Sequence, residues 1–281
     1  MRKILLIVMP LFVFIASCGE PDSLSEFEQA GKEAYLNEDF AKAREYLGKA
    51  ASMKSSDRDV LYYLGMSYQR EFFLDSALFY LKRAALLHPS DREVNEALYP
   101  IAAQLKEWDY AIRAIMVLVQ TGDPIEDYRE RLADLNVKSG NNVVAFIHAK
   151  ELLKMDSLNP DRYYQLSVLA FKIDSFYVAE DLVDLAIDKF GPSPVFLSSK
   201  GMLLTQKGEL EQAEKLLRPL LVSDSSTINK YRLANALVDQ SDRSKKEEAF
   251  RLYLDIKDFV GPELKVDSML FHLDSILNKS N

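Results

Sequence analysis

Few side chains in this sequence have the types and spacing that covalent chemistry needs. The three histidines, His88, His148 and His272, stand 60 and 124 residues apart. No HExxH, CxxC or GxSxG motif occurs. A single cysteine excludes a disulfide framework and a cysteine-built zinc site. Glu130 and Asp134 would lie one helical turn apart, the kind of carboxylate pair a glycan hydrolase built on helices would need. The same spacing is ordinary on a solvated helix face. No catalytic residue, metal ligand or cofactor is expected, so the chain reads as a non-enzyme. Ten glycines in 281 residues fall below the usual ~7% and disfavour glycine-rich phosphate loops. With 35 basic against 43 acidic residues and a pI near 5.1, the chain lacks the basic footprint of a nucleic-acid binder.

The N-terminus reads as a processing signal. Arg2 and Lys3 precede an uncharged run from Ile4 to Ser17 that contains Pro10. That run is shorter than the ~20 apolar residues needed to span a bilayer and fits a secretory signal, residues 1–17. Ile15-Ala16-Ser17-Cys18 resembles the bacterial lipobox, where cleavage precedes an acylated cysteine, and Cys18 is the only thiol in the chain. Several acyl chains on Cys18 would anchor the protein to a membrane, each buried methylene contributing about 0.8 kcal/mol. Cleavage leaves 33 basic and 43 acidic residues, a net charge of −10 that offers no attraction to anionic headgroups. Residues 18–23 form only a short tether; its five residues after Cys18 reach at most about 17 Å.

Beyond the tether, self-similarity dominates. Ala43, Ala77, Ala111, Ala145, Ala179 and Ala213 recur every 34 residues, and Ala249 follows after 36. Gly31, Gly65, Ala133, Ser167 and Gly201 keep the same step. In the copy from Arg58 to Asp91, Leu61, Leu64, Gly65, Tyr68, Ala77, Leu81, Ala84 and Pro89 stand at signature places. This pattern resembles the tetratricopeptide repeat. The resemblance implies an all-α fold: a right-handed α-solenoid of about seven helix hairpins over residues 24–263. Copies begin near 24, 58, 92, 126, 160, 194 and 228, and residues 264–281 form a C-terminal capping helix. A hairpin cannot bury its apolar face alone, so stacking supplies the core. Asp123-Pro124, Asn159-Pro160 and Ser193-Pro194 each place a capping side chain before a proline at a helix start. Pro100 is expected to kink the first helix of repeat three, and Pro219 to interrupt the second helix of repeat six. Asn235 departs from the small residue preferred in its column.

The acidic row Asp59, Glu93, Asp127 and Asp161 suits helix N-termini, and Arg70, Lys138 and Lys172 suit C-termini. The resemblance also gives these rows a second role, because in the family positions two, five, nine, twelve and thirteen of the leading helix line a concave groove. Carried over, these positions are Asp59, Tyr62, Met66, Gln69 and Arg70 in repeat two. In repeat four they are Asp127, Glu130, Asp134, Val137 and Lys138. In repeat five they are Asp161, Tyr164, Val168, Phe171 and Lys172. Tyr63 sits beside this face. Tyr62, Tyr63 and Tyr164 are candidate anchors for a partner, with interhelix packing the competing role. A clamp for chaperone tails needs Lys and Asn at positions five and nine; repeat one has Glu28 and Lys32 there, and repeat two Tyr62 and Met66.

These features together predict a lipid-anchored adaptor of the bacterial cell envelope, on the outer membrane facing the periplasm. Its partner would be an envelope protein or extended peptide held in the groove, with the membrane engaged through Cys18. The alternatives are a structural spacer or homo-oligomeric subunit of an envelope assembly or secretion complex, and a solenoid glycan hydrolase.

Overall fold

The computed structural model describes residues 21–53, 56–121 and 125–278. Cys18, the predicted signal segment and the Asp123-Pro124 cap lie outside the described residues. Among the described residues there is no strand and no helix long and apolar enough to cross a membrane.

Leading and second helices alternate along the chain. The first compact unit, ending at Val117, holds α1 (Leu24–Leu36), α2 (Phe40–Met53), α3 (Arg58–Arg70), α4 (Leu74–Leu87), α5 (Arg92–Gln104) and most of α6 (Trp108–Thr121). Here α1 packs on α2, α2 on α3, α3 on α4 and α4 on α5. The second unit, from Leu118, holds α7 (Ile125–Lys138), α8 (Asn142–Met155), α9 (Pro160–Lys172), α10 (Phe176–Phe190) and α11 (Pro194–Gln206). It continues through α12 (Leu210–Leu217), α13 (Leu220–Ser223), α14 (Thr227–Val238), α15 (Arg243–Ile256) and α16 (Val266–Asn278). Again each helix packs on its neighbours in sequence, and α16 packs on α15. The protein is an all-helical repeat solenoid.

The repeating small residues explain the close packing. All seven alanines of the 34-residue column are buried, at 0–1% exposure. A Cβ built on Gly31 would stand 2.5 Å from Leu47 Cγ, and one on Gly65 would stand 2.8 Å from Leu81 Cγ. Leu47 and Leu81 are fully buried, so neither can move aside. In repeat seven this glycine–leucine pair becomes Asn235 and Tyr253. The Tyr253 side chain is fully buried, and its hydroxyl donates to Asn235 Oδ1 at 2.5 Å. This departure from the small-residue rule is a matched polar pair, in which the buried Tyr253 hydroxyl is satisfied.

Local chemistry starts and stops the helices. Asn159 Oδ1 accepts from Asp161 N–H, and Ser193 Oγ from Phe196 N–H, with Pro160 and Pro194 at the first helical turn. Asp57 and Asp91 cap α3 and α5 in the same way. Within hairpins the chain turns through a left-handed residue at 38, 72, 106, 140, 174 and 208, again every 34 positions. Only Gly140 and Gly208 adopt that conformation freely; Glu38, Phe72, Lys106 and Asp174 adopt it against steric resistance. Helix α5 continues through Pro100, whereas the second helix of repeat six breaks at Pro219 into α12 and α13. Val266 and Leu273 of α16 are buried against the cluster that contains Leu233, Leu237 and Ile256, and Leu264, Met269 and Leu270 pack beside them.

Candidate functional site

The groove positions of repeat two lie on α3. Asp59 accepts from Lys32 Nζ at 2.7 Å and pairs with Arg58 at 3.1 Å. Arg58 in turn holds Asp91 at 2.7 and 2.8 Å and Glu93 at 2.6 Å. The Arg58 guanidinium stands over the Tyr62 ring at 4.7 Å. The Tyr63 ring lies 5.3 Å from Tyr62 and 5.2 Å from Tyr35. The hydrogen bond from Lys32 holds the Asp59 carboxyl below its usual range, and burial pushes the Tyr62 hydroxyl up. Asp59, Tyr62 and Tyr63 thus join three successive leading helices in an ion–aromatic network. Beside it Met66 is half-buried and Arg70 is exposed.

Repeats four and five differ. Their leading helices α7 and α9 wall an open cavity of 670 Å³, lined by Asp127, Glu130, Asp134, Tyr164, Val168 and Lys172, among others. Tyrosine, apolar and oppositely charged side chains converge there, and Tyr164 is only half-buried. Glu130 pairs with Arg162 at 3.0 Å and Asp134 with Lys138 at 2.6 Å. Both carboxylates are exposed and each is held by a cation, unlike the desolvated carboxyl that general-acid catalysis uses. Lys138 reaches the cavity only through Asp134, and Phe171 lines a different cavity, described below. Among the described residues no cluster of His, Cys, Asp and Glu has metal-binding geometry.

Two buried arginines escaped the sequence reading. Arg162 is 7% exposed and bridges Glu126 and Glu130, tying α9 to α7. Arg232 is 8% exposed and makes no ion pair among the described residues. A signal for Arg232 was available: position five holds Tyr62, Glu130 and Tyr164 in repeats two, four and five, and the same column continues to Ser198 and Arg232.

This architecture is that of the tetratricopeptide-repeat solenoid. No family model matches the sequence, and no curated protein matches it. Among solved structures, the chain is similar to a tetratricopeptide repeat protein from Parabacteroides merdae, with 14% identity and a TM-score of 0.51. That match covers 89% of this chain and 98% of the other. It is also similar to a chain of the Naa15/Naa10 structure bound to HypK-THB, with 13% identity and a TM-score of 0.53. The second match covers 89% of this chain but only 39% of its counterpart. Likeness at such low identity establishes the fold alone.

Proposed function

We propose that the chain is a non-enzymatic, lipid-anchored adaptor of the bacterial envelope that docks an extended polypeptide against its leading helices. The observation that carries this reading is the 670 Å³ cavity between α7 and α9, where Tyr164 stands amid apolar and charged groups of both signs. Its size suits several side chains of a bound segment, and tyrosine provides a rigid anchor at little entropic cost. The HypK-THB-bound Naa15/Naa10 structure, which shares the fold, is a precedent for protein assembly. The anchoring half of the proposal rests on the Ile15–Cys18 sequence, and the outer-membrane, periplasm-facing location is proposed with it.

Affinity capture from envelope membranes tests both halves. Tyr164→Ala should weaken capture of the partner about tenfold or more while native helicity remains. Cys18→Ser should move the protein to the soluble fraction and abolish palmitate labelling. Undiminished capture by Tyr164→Ala would remove the cavity from the interface, and persistent labelling of Cys18→Ser would refute the lipid site.

A further inference from the structure

A second cavity, of 620 Å³, lies in the same compact unit, with Phe171, Met202, Tyr231, Arg232, Asn235 and Met269 among its lining residues. Its walls mix apolar side chains with Thr205, Gln206, Asn235 and Asp239, and one guanidinium is set into them. Arg232 Nη1 donates to Ser198 Oγ at 2.5 Å, and Ser198 Oγ donates to Asn229 Oδ1 at 2.5 Å. Asn229 Nδ2 then donates to Asp224 Oδ2 at 2.9 Å. This hydrogen-bonded chain reaches an acid only through two neutral side chains, and the Tyr164 hydroxyl stands beside the guanidinium. Asp239 shares the cavity lining but makes no ion pair with Arg232. The Arg232 Nε is buried with no hydrogen-bond partner, as is that of Arg162, so the two arginines differ in their acidic neighbours and not in this atom.

Arg162 shows what this fold does with a structural arginine. It is equally buried, but two glutamates neutralise it. A buried cation without an acid is costly, and replacing it by an apolar residue of similar size would ordinarily be neutral or stabilising. Arg232 carries that cost at a cavity wall, where an incoming group could offset it.

We propose that Arg232 receives the carboxylate of a glutamate side chain projecting from an extended polypeptide laid across α9, α11 and α14. This rests on the adaptor reading and names the residue type it selects. The planar guanidinium fork matches a carboxylate in two parallel hydrogen bonds. The apolar part of the lining, with Phe171, Met202 and Met269, suits a carboxylate on a methylene stem better than a bare hydrated anion, which would be stripped of water there. Tyr164 lines the α7–α9 cavity and also flanks Arg232, so a segment crossing α9 is in contact with both cavities. A chain that continues on either side of this point offers a side chain there rather than its C-terminus.

The test is a library of acetylated, amidated twelve-residue peptides screened against the whole protein and its Arg232→Met variant. Wild type should enrich Glu at one position flanked by apolar residues. Exchanging that Glu for Gln should cost at least tenfold in affinity. In Arg232→Met the apolar enrichment should persist while Glu and Gln peptides bind alike. Arg232→Lys keeps the charge but loses the fork, and should reduce the Glu preference even if the Met variant does not fold. An undiminished Glu preference in these variants overturns the assignment. So does binding that requires a free C-terminal carboxylate. Selection of peptides with no acidic preference removes the Arg232 role but leaves the adaptor reading intact. Failure of wild type to select any peptide removes both.

Discussion

At the scale of single residues, the same 34-residue step that organises the core also repeats a backbone problem. Six turns use a left-handed residue, and four of them lack glycine. Phe72 is the extreme case, a bulky side chain at φ 63° with 86% of its surface exposed. Folding such a residue into that conformation costs about 1 kcal/mol relative to glycine. Phe72→Gly should therefore raise the thermal midpoint, with a gain of roughly 0.5–1 kcal/mol in denaturant unfolding; a loss of stability would mean that the ring makes contacts which outweigh the strain. At Gly140 and Gly208, one repeat position two copies apart, the residue type itself marks the turn. The other four turns were not legible in the sequence, because Glu, Phe and Lys carry no signal for that conformation, and Asp, which tolerates it better, is equally common at helix caps. Arg232 divides in the same way. Its place in the position-five column is readable, but the absence of an acidic neighbour depends on which side chains folding brings beside it. At Tyr62 and Tyr63 the residue types suggested anchors, and the fold engages both rings with Arg58 and Tyr35.

At the scale of elements, the periodic alanines and glycines specified the hairpins, since a Cβ at Gly31 or Gly65 cannot coexist with its buried leucine. The ion pairs that join successive repeats were far less legible. Their partners lie about one repeat apart and depend on side-chain reach rather than on type. The junction of repeats six and seven illustrates this. Glu214 on α12 accepts from Lys245 at 2.8 Å, from Arg218 at 2.8 Å and from Gln240 at 3.0 Å. Burial alone would push this carboxyl up, but the three donors outweigh it and hold Glu214 down to about 2, against an ordinary 4.5. Because the folded value lies below the unfolded one, the stabilisation is complete above about pH 4.5 and is lost as pH falls towards 2. Glu214→Gln should cost roughly 2 kcal/mol at pH 7 and flatten the decline of stability between those pH values. An unchanged acid-unfolding profile would show that the network contributes nothing measurable.

At the scale of the whole molecule, the repeat signature made the solenoid readable from one end of the array to the other. The fold explains why an otherwise unremarkable column of residues can act together. Position five of successive leading helices brings Tyr164, Ser198 and Arg232 side by side, and positions two, five and nine of α7 supply the acidic wall opposite Tyr164. What such a surface holds is not written in the repeat, because its charged and aromatic side chains, Asp127, Glu130, Asp134, Tyr164 and Lys172, stand outside the packing columns that define the fold. The most direct measurement is site-specific photocrosslinking in envelope preparations, with the reactive residue placed at Val168 in the α7–α9 cavity or at exposed Leu185 on α10. The account predicts a discrete crosslinked polypeptide from position 168 that is absent from position 185 and reduced by Tyr164→Ala. Equal crosslinking from both positions, or crosslinking from 185 alone, would contradict it.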